Sequence, residues 1–229
     1  MPDAQQLIFT LVVTLVPLIL AIAVHEFAHI AMARWLGDDL GTRLGRFTLN
    51  PLAHMDPIWT LGVPALLVIM SAGSGGAIPF FAAGKPAPYN PVRLDRRFGG
   101  KRISLRTAEL LVAAAGPASN VLLALVSGVL AFVAVKAGAP LEERSPVWLL
   151  TLFFQLNVAL AFFNLIPIPP LDGSKVLYAL LPTRAAEQYA ELAGRLSWVL
   201  LGAVILGGRY IVIPVVVLAQ TGLYQVLFS

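Results

Sequence analysis

The pentapeptide His25-Glu26-Phe27-Ala28-His29 constrains the fold most strongly, because it lies inside residues 7–36, a run that is almost entirely apolar. A helix of that length can cross a bilayer. Imidazole and carboxylate groups are costly in hydrocarbon unless they are paired with other groups or bound to an ion. The sequence therefore predicts a transmembrane helix that carries a polar site in its interior.

The spacing of the polar residues indicates which ion. His25 and His29 are four residues apart, so on a helix they project from one face, one turn apart, and supply two of the ligands of a tetrahedral zinc ion. Glu26 lies about 100° round the helix, where it can reach a water on the metal and take its proton. The alternative is a structural metal, or a histidine pair hydrogen-bonded to other helices, and the membrane setting disfavours it.

Composition places the whole chain in a membrane. The 229 residues are 58% hydrophobic and only 12% charged, whereas soluble domains carry about 25% charged residues. There are no cysteines, so a zinc site must use His, Asp and Glu. The net charge of +4 does not indicate a nucleic-acid partner, because most Lys and Arg residues lie in loops beside apolar runs.

These features predict an all-α polytopic membrane protein, a single domain over residues 1–229 with a bundle of about four to six transmembrane helices. The predicted spans are 7–36, 104–135, 146–166 and 196–227, and the last is either one helix or two segments. The first run has neither a basic start nor a small-residue cleavage site, which predicts a retained span. Because basic residues follow it, the site is expected in the cytoplasmic half of the bilayer.

The region after the first span carries two further expectations. Residues 42–49 alternate in hydropathy, which predicts a short strand or β-hairpin. Residues 58–82 begin with an apolar run of only about 21 Å as helix, followed by a glycine-rich stretch and flanked on both sides by basic loops. We expect a re-entrant segment there, with a full crossing as the alternative.

Candidates for the third zinc ligand are the carboxylates near the membrane: Asp56, Glu109 and Asp172. Asp172 follows a proline-rich break at the inner end of a span, at a depth comparable to the two histidines, and is the best candidate. Its alternative role is to cap a helix that begins near Ser174. His54 and Asp56 are either a ligand pair or the components of a tight turn between prolines, and the turn is favoured.

Two asparagines also lie in apolar runs. Asn164 closes the span before Asp172, so its amide can stabilise the oxyanion that forms when a carbonyl is attacked. Asn120 either hydrogen-bonds a neighbouring helix or lines the site, and the structural role is favoured.

Together these motifs resemble the site-2 proteases, which are intramembrane zinc metalloproteases. The resemblance covers most of the chain. It rests on His25-Glu26-x-x-His29, Asn164…Pro170-Leu171-Asp172-Gly173, Leu49-Asn50-Pro51-Leu52-Ala53-His54-x-Asp56-Pro57, Lys85-Pro86-x-Pro88-x-Asn90-Pro91 and Ala115-Gly116-Pro117-x-Ser119-Asn120. It implies one Zn²⁺ per chain held by His25, His29 and Asp172, with Glu26 as catalytic base and Asn164 as an oxyanion or substrate-positioning group. Compared with the larger members, we expect a minimal form without an inserted or appended regulatory domain.

The expected function is hydrolysis of peptide bonds within or next to the transmembrane segment of a membrane-protein substrate, as in regulated intramembrane proteolysis. The expected partners are that substrate and the lipid bilayer, and a homo-oligomer is compatible with this reading. One alternative is a membrane metal-binding or transport protein, which would need acids and histidines along a path. The other is an inactive scaffold of the same fold, against which the intact Glu26 argues.

Overall fold

The computed structural model describes residues 3–74, 83–95, 97–98 and 101–228. Within these ranges the α-helices are α1 (Ala4–Trp35), α2 (Leu40–Arg43), α3 (Val63–Ser74), α4 (Leu105–Lys136), α5 (Pro146–Asn164), α6 (Asp172–Leu180) and α7 (Thr183–Phe228).

In the part of the chain that the structure describes, four helical stretches are long and apolar enough to cross a membrane: Ala4–Trp35, Leu105–Lys136, Pro146–Asn164 and Tyr210–Phe228. The last of these is the end of α7, which runs without interruption for 46 residues, or roughly 69 Å. The region 196–227 is therefore part of one helix and not two segments. These apolar helices make the protein an integral membrane protein.

Side-chain caps set where three of the spanning helices begin. Asp3 accepts from the Gln6 amide at 2.6 Å, and the hydroxyls of Ser104 and Ser145 accept from amides three residues further along. Each cap satisfies a backbone donor that the first turn of a helix leaves free. Pro146 follows its cap at the first helical position, where its missing N–H costs nothing.

Helix α4 is the centre of the bundle, packed against α1, α5, α6 and α7. Its buried face is made largely of small residues: Ala108, Ala113, Gly116, Ala124, Ser127, Gly128 and Ala131. Small side chains let helix backbones approach closely in lipid, where packing replaces the hydrophobic effect as the force between helices. This close approach brings α4 against the histidine face of α1.

The predicted β-hairpin after the first span is wrong. Residues 42–49 instead contain the end of α2 and a turn at Gly45, whose φ is +69°. The alternating apolar residues mark no sheet face, since Leu44 and Leu49 are both more than half exposed. Among the described residues, strand pairing is confined to two residues a side, β1 (Arg97–Phe98) with β2 (Lys101–Arg102), so the fold is helical.

The segment between α2 and α4 turns back on itself. A π-helical stretch, Pro57–Gly62, leads into α3, and the chain later returns beside that stretch. The Ala83 amide donates to the Trp59 carbonyl at 3.2 Å, and the Thr60 hydroxyl donates to the Ala83 carbonyl at 2.7 Å. The two described ends of the segment therefore lie beside each other, and the choice between a re-entrant segment and a full crossing stays a prediction. Residues 75–82 of the predicted segment 58–82 lie outside the described residues.

Candidate metal centre and active site

Three side chains from two distant parts of the chain meet inside the bundle. His25 Nε2 lies 3.0 Å from His29 Nε2, and Asp172 Oδ2 lies 3.1 Å from the first and 3.2 Å from the second. The two histidines are buried in α1. Asp172 is 147 residues away in sequence from His25 and reaches them from the first residue of α6. Among the described residues, these three form the only group of three or more suited to hold a metal ion.

Each imidazole makes a hydrogen bond through Nδ1. That bond decides whether the Nε2 atom, which faces the other two side chains, carries a hydrogen. His25 Nδ1 lies 2.6 Å from Asn120 Oδ1, and His29 Nδ1 lies 2.7 Å from the Val112 carbonyl oxygen. Oxygen atoms of this kind accept, so both Nδ1 atoms donate and both Nε2 atoms present lone pairs. Two lone pairs and a carboxylate oxygen then face one another without a proton, an arrangement that repels unless a cation lies among them.

The donor set fits zinc. Ligands at about 2.0–2.1 Å from a tetrahedral zinc lie roughly 3.3 Å apart, close to the three separations observed here. Two nitrogens and one carboxylate oxygen are also a ligand set of catalytic zinc sites, which keep a further position for water or substrate. The second hydrogen bond on each imidazole is the usual way in which a protein orients histidine ligands.

Gly116 of α4 closes one side of this group. A Cβ built at Gly116 would lie 2.6 Å from His25 Nε2 and would also overlap His29 Nε2. The absence of a side chain at this position lets α4 approach the ligand atoms directly. The space that the imidazoles occupy therefore depends on a glycine of the neighbouring helix.

A short proline-rich turn after α5 places Asp172. Gly173 packs against the carbonyls of Leu165 and Ile166, where an added Cβ would lie 2.6 Å from the Ile166 oxygen. The Tyr189 hydroxyl of α7 donates to the Pro167 carbonyl at 2.9 Å. Burial raises the pKa of Tyr189, so that hydroxyl keeps its proton as a donor. The turn is thus held by the packing of Gly173 against its carbonyls and by the hydrogen bond from Tyr189 of α7.

Asp172 does not cap a helix. Helix α6 begins at Asp172 itself, and its N-cap residue is Leu171, which makes no side-chain cap bond. The carboxylate is directed at the histidines instead. At the other end of α6, Arg106 donates to the carbonyls of Tyr178 and Leu181, the second at 2.6 Å. This contact fixes α6 to α4.

Glu26 lies beside the group, at a cavity of about 180 Å³ that both histidines and Asp172 also line. Its carboxylate is buried, and Oε2 has no hydrogen-bond partner. A volume of this size holds several water molecules. A buried carboxylate oxygen with no partner, beside a cavity that also contains the histidines and Asp172, can accept a proton and is costly as a purely structural feature.

Asn164 also lines this cavity, from the last residue of α5. Its Nδ2 donates to the Leu160 carbonyl at 3.0 Å, which orients the amide. The extended segment after residue 82 forms another wall, where a Cβ on Gly84 would lie 3.1 Å from Glu26 Oε1. This wall is held from behind, because the Lys85 amide donates to the His54 carbonyl at 2.8 Å and Asp38 accepts from the Asn90 amide at 2.7 Å.

The other ligand candidates lie elsewhere. His54 Nε2 is 2.7 Å from the Thr48 carbonyl, and Asp56 accepts from the amides of Ile58 and Trp59, so both residues build the predicted turn. Glu109 lines a separate cavity beside Tyr178.

The amides behind His25 were predicted only in part. Asn120 hydrogen-bonds neighbouring helices, the role that the sequence favoured: it contacts His25 directly and donates to Asn157 Oδ1 at 3.0 Å. Asn157 is fully buried in α5 and was not considered. The available signal was an uncharged amide inside an apolar span, which marks an interhelical contact but does not say with which helix.

Comparisons with known proteins agree with this geometry. The model of the family described as Peptidase family M50 matches residues 13–206. A protein of Bacillus subtilis (strain 168) named "Putative zinc metalloprotease YwhC" is 34% identical over 211 residues, which are 87% of this chain and 83% of that protein. A protein of Mycolicibacterium smegmatis named "Putative zinc metalloprotease Rip2" is 31% identical over 189 residues, 82% of this chain and 63% of that protein. No solved structure matches the chain.

Proposed function

The chain belongs to peptidase family M50 and is an intramembrane zinc metalloprotease, and we propose that His25, His29 and Asp172 hold its zinc ion. The observation that carries this assignment is the triangle formed by the two Nε2 atoms and Asp172 Oδ2, which lie 3.0–3.2 Å apart. When bound there, zinc would acidify water and polarise the carbonyl of the scissile peptide bond. The remaining chemistry falls to side chains of the cavity.

Glu26 is the general base in this proposal. It lies one residue after a ligand on α1, faces the same cavity, and has an oxygen with no other partner. It accepts a proton from the attacking water and passes it to the amine that leaves.

Asn164 is the proposed oxyanion donor. Its amide has two N–H bonds, and the single hydrogen bond to Leu160 leaves the second available at the cavity. Negative charge develops on the carbonyl oxygen during attack, and a donor placed there stabilises the transition state more than the substrate.

Asn164→Ala is expected to lower kcat by about 10²–10³-fold, the usual effect of removing one oxyanion donor. Zinc content should stay at the wild-type value, because Asn164 does not contact a ligand. Cleavage kinetics and metal analysis on the same preparation test this. Loss of zinc together with activity would assign Asn164 to the metal centre instead.

The proposed substrate is a transmembrane segment of another membrane protein. On α1, His25 lies ten residues before Trp35 and His29 six residues before it, about 15 Å and about 9 Å from the end of that helix, and both are therefore within the bilayer. A peptide bond in an intact helix is protected by its hydrogen bonds, so the substrate must unwind locally before attack. Polar groups and water in the cavity can satisfy the backbone groups that unwinding frees.

We place the catalytic end of the bundle at the cytoplasmic side. Basic residues concentrate between the end of α1 and the start of α4: Arg34, Arg43, Arg46, Lys85, Arg93, Arg96, Arg97, Lys101, Arg102 and Arg106. At the opposite end, Arg144 contacts Gln6 near the N-terminus of α1, close in sequence to Glu142 and Glu143. Excess Lys and Arg mark the cytoplasmic loops of membrane proteins.

Because the chain has no cysteine, single cysteines report this orientation directly. A membrane-impermeant maleimide applied to inside-out vesicles should label Leu52→Cys, which is 76% exposed, and not Glu143→Cys. Intact cells should give the opposite pattern. The reverse result in both preparations would place the active site toward the other face.

The activity itself is tested with purified protein in lipid. Zinc should be present at about one ion per chain, and cleavage of a panel of single-span substrates should stop on chelation and return with added zinc. Zinc uptake into vesicles by the same preparation, without cleavage of any substrate, would support a transporter instead.

A further inference from the structure

Two buried asparagines connect His25 to a backbone carbonyl on α5. Asn157 Nδ2 donates to the Phe153 carbonyl at 2.9 Å, Asn120 Nδ2 donates to Asn157 Oδ1 at 3.0 Å, and Asn120 Oδ1 lies 2.6 Å from His25 Nδ1. Both asparagines are fully buried. The contacts link α5, α4 and α1 in one chain of hydrogen bonds.

The Phe153 carbonyl fixes the order of donors and acceptors along this series of hydrogen bonds. A carbonyl can only accept, so Asn157 must present Nδ2 to it and Oδ1 to Asn120. Asn120 must then turn its Nδ2 toward Asn157 and its Oδ1 toward His25. His25 Nδ1 consequently carries the hydrogen, and Nε2 is left with a lone pair.

His29 needs no such chain, because its Nδ1 contacts the Val112 carbonyl directly. His25 differs, since its partner is an amide that can rotate by half a turn and offer N–H in place of oxygen. With the amide rotated, His25 Nδ1 would accept and the hydrogen would move to Nε2, the atom that faces His29 and Asp172. That tautomer cannot bind a metal through Nε2.

We propose that Asn120 and Asn157 are positioning residues for the metal centre, which hold His25 in the tautomer that binds zinc. The proposal rests on the proposed function, because it takes His25 as a zinc ligand. Neither asparagine contacts the substrate cavity. Asn157 acts on His25 only through Asn120, and its effect should therefore depend on what stands at position 120.

Asn157→Leu should weaken zinc binding by roughly 10–100-fold, the range for lost partners of histidine ligands. Without its acceptor on α5, the Asn120 amide keeps only the longer donation of Nδ2 to the Ala21 carbonyl, at 3.4 Å, and therefore rotates more readily. Zinc affinity is measured by competition with a chelator of known affinity. Asn157→Ala provides a second variant if Leu disturbs folding. Thr151→Val is the matched control, since Thr151 is buried in the same helix and donates only to the Trp148 carbonyl.

The decisive comparison repeats Asn157→Leu in an Asn120→Asp background. A carboxylate at position 120 has no N–H to offer, so it keeps His25 Nδ1 as a donor whatever its neighbour does. The proposal expects the zinc affinity of the double variant to match that of Asn120→Asp alone. An equal loss from Asn157→Leu in both backgrounds would show a packing role and overturn the proposal.

His25→Ala separates this result from the proposed function. Zinc binding that survives His25→Ala would remove His25 from the ligand set, and the proposed function would fail first. If zinc binding were lost in His25→Ala but unchanged in Asn157→Leu and Asn157→Ala, the positioning role of the two asparagines would be refuted. The proposed zinc ligands would not be affected by that result.

Discussion

Glu26→Gln is expected to bind zinc normally and to lose cleavage by about 10²–10⁴-fold, the usual contribution of a general base. Glutamine has nearly the same shape, so the cavity and the ligand triangle should be preserved. It cannot take a proton from water, however. The measurements are zinc content and the rate of cleavage of a single-span substrate in lipid.

The same change should also leave the protein at least as stable as wild type. Glu26 is buried and one of its oxygens has no partner, so removing its charge removes a desolvation cost. Active sites commonly carry such a cost in exchange for function. The midpoint of thermal unfolding, measured on zinc-free protein, in which no bound cation attracts the carboxylate, should therefore stay the same or rise.

Glu109→Gln is the matched control for Glu26→Gln. Glu109 is a partly buried glutamate of α4, and it lines a different cavity. Its substitution should change neither zinc content nor cleavage. Full activity in Glu26→Gln, or an equal loss in both variants, would contradict the assignment of Glu26 as the base.

Sequence predicted the membrane class well because hydropathy over a long window depends little on tertiary structure. The runs at 7–36 and 104–135 overlap the helices Ala4–Trp35 and Leu105–Lys136 almost entirely. The hairpin at 42–49 failed because alternation was taken for a sheet with one buried face. In a membrane protein, exposed apolar residues such as Leu44 are common and carry no such meaning.

Some residues of the site could also be placed from the sequence, and others could not. His25, Glu26 and His29 could be placed relative to one another because the helical period fixes their geometry. Asp172 could be chosen only by depth and by its proline-rich surroundings, and the structure brings it to the histidines. Asn157 and the Val112 carbonyl could not be found, because their contacts depend on the rotation of α4 and α5 against α1.

Gly116→Ala is expected to reduce zinc content far below one ion per chain and to abolish cleavage. The new methyl group would lie 2.6 Å from His25 Nε2 and would overlap His29 Nε2. Neither imidazole can withdraw freely, since each is held on its far side by a hydrogen bond of 2.6–2.7 Å. The metal-binding atoms must therefore separate. Metal analysis and zinc competition measure the effect.

A general loss of helix stability cannot account for that outcome, because alanine is favoured over glycine in a helix by about 1 kcal/mol. Gly128→Ala, in the same helix, is the control: its Cβ would lie 3.3 Å from the end of the Leu223 side chain, which can move aside. Zinc binding should persist there. If Gly116→Ala instead bound zinc as wild type does, the ion could not lie among the Nε2 atoms that Gly116 faces, and the proposed ligand set would have to be abandoned.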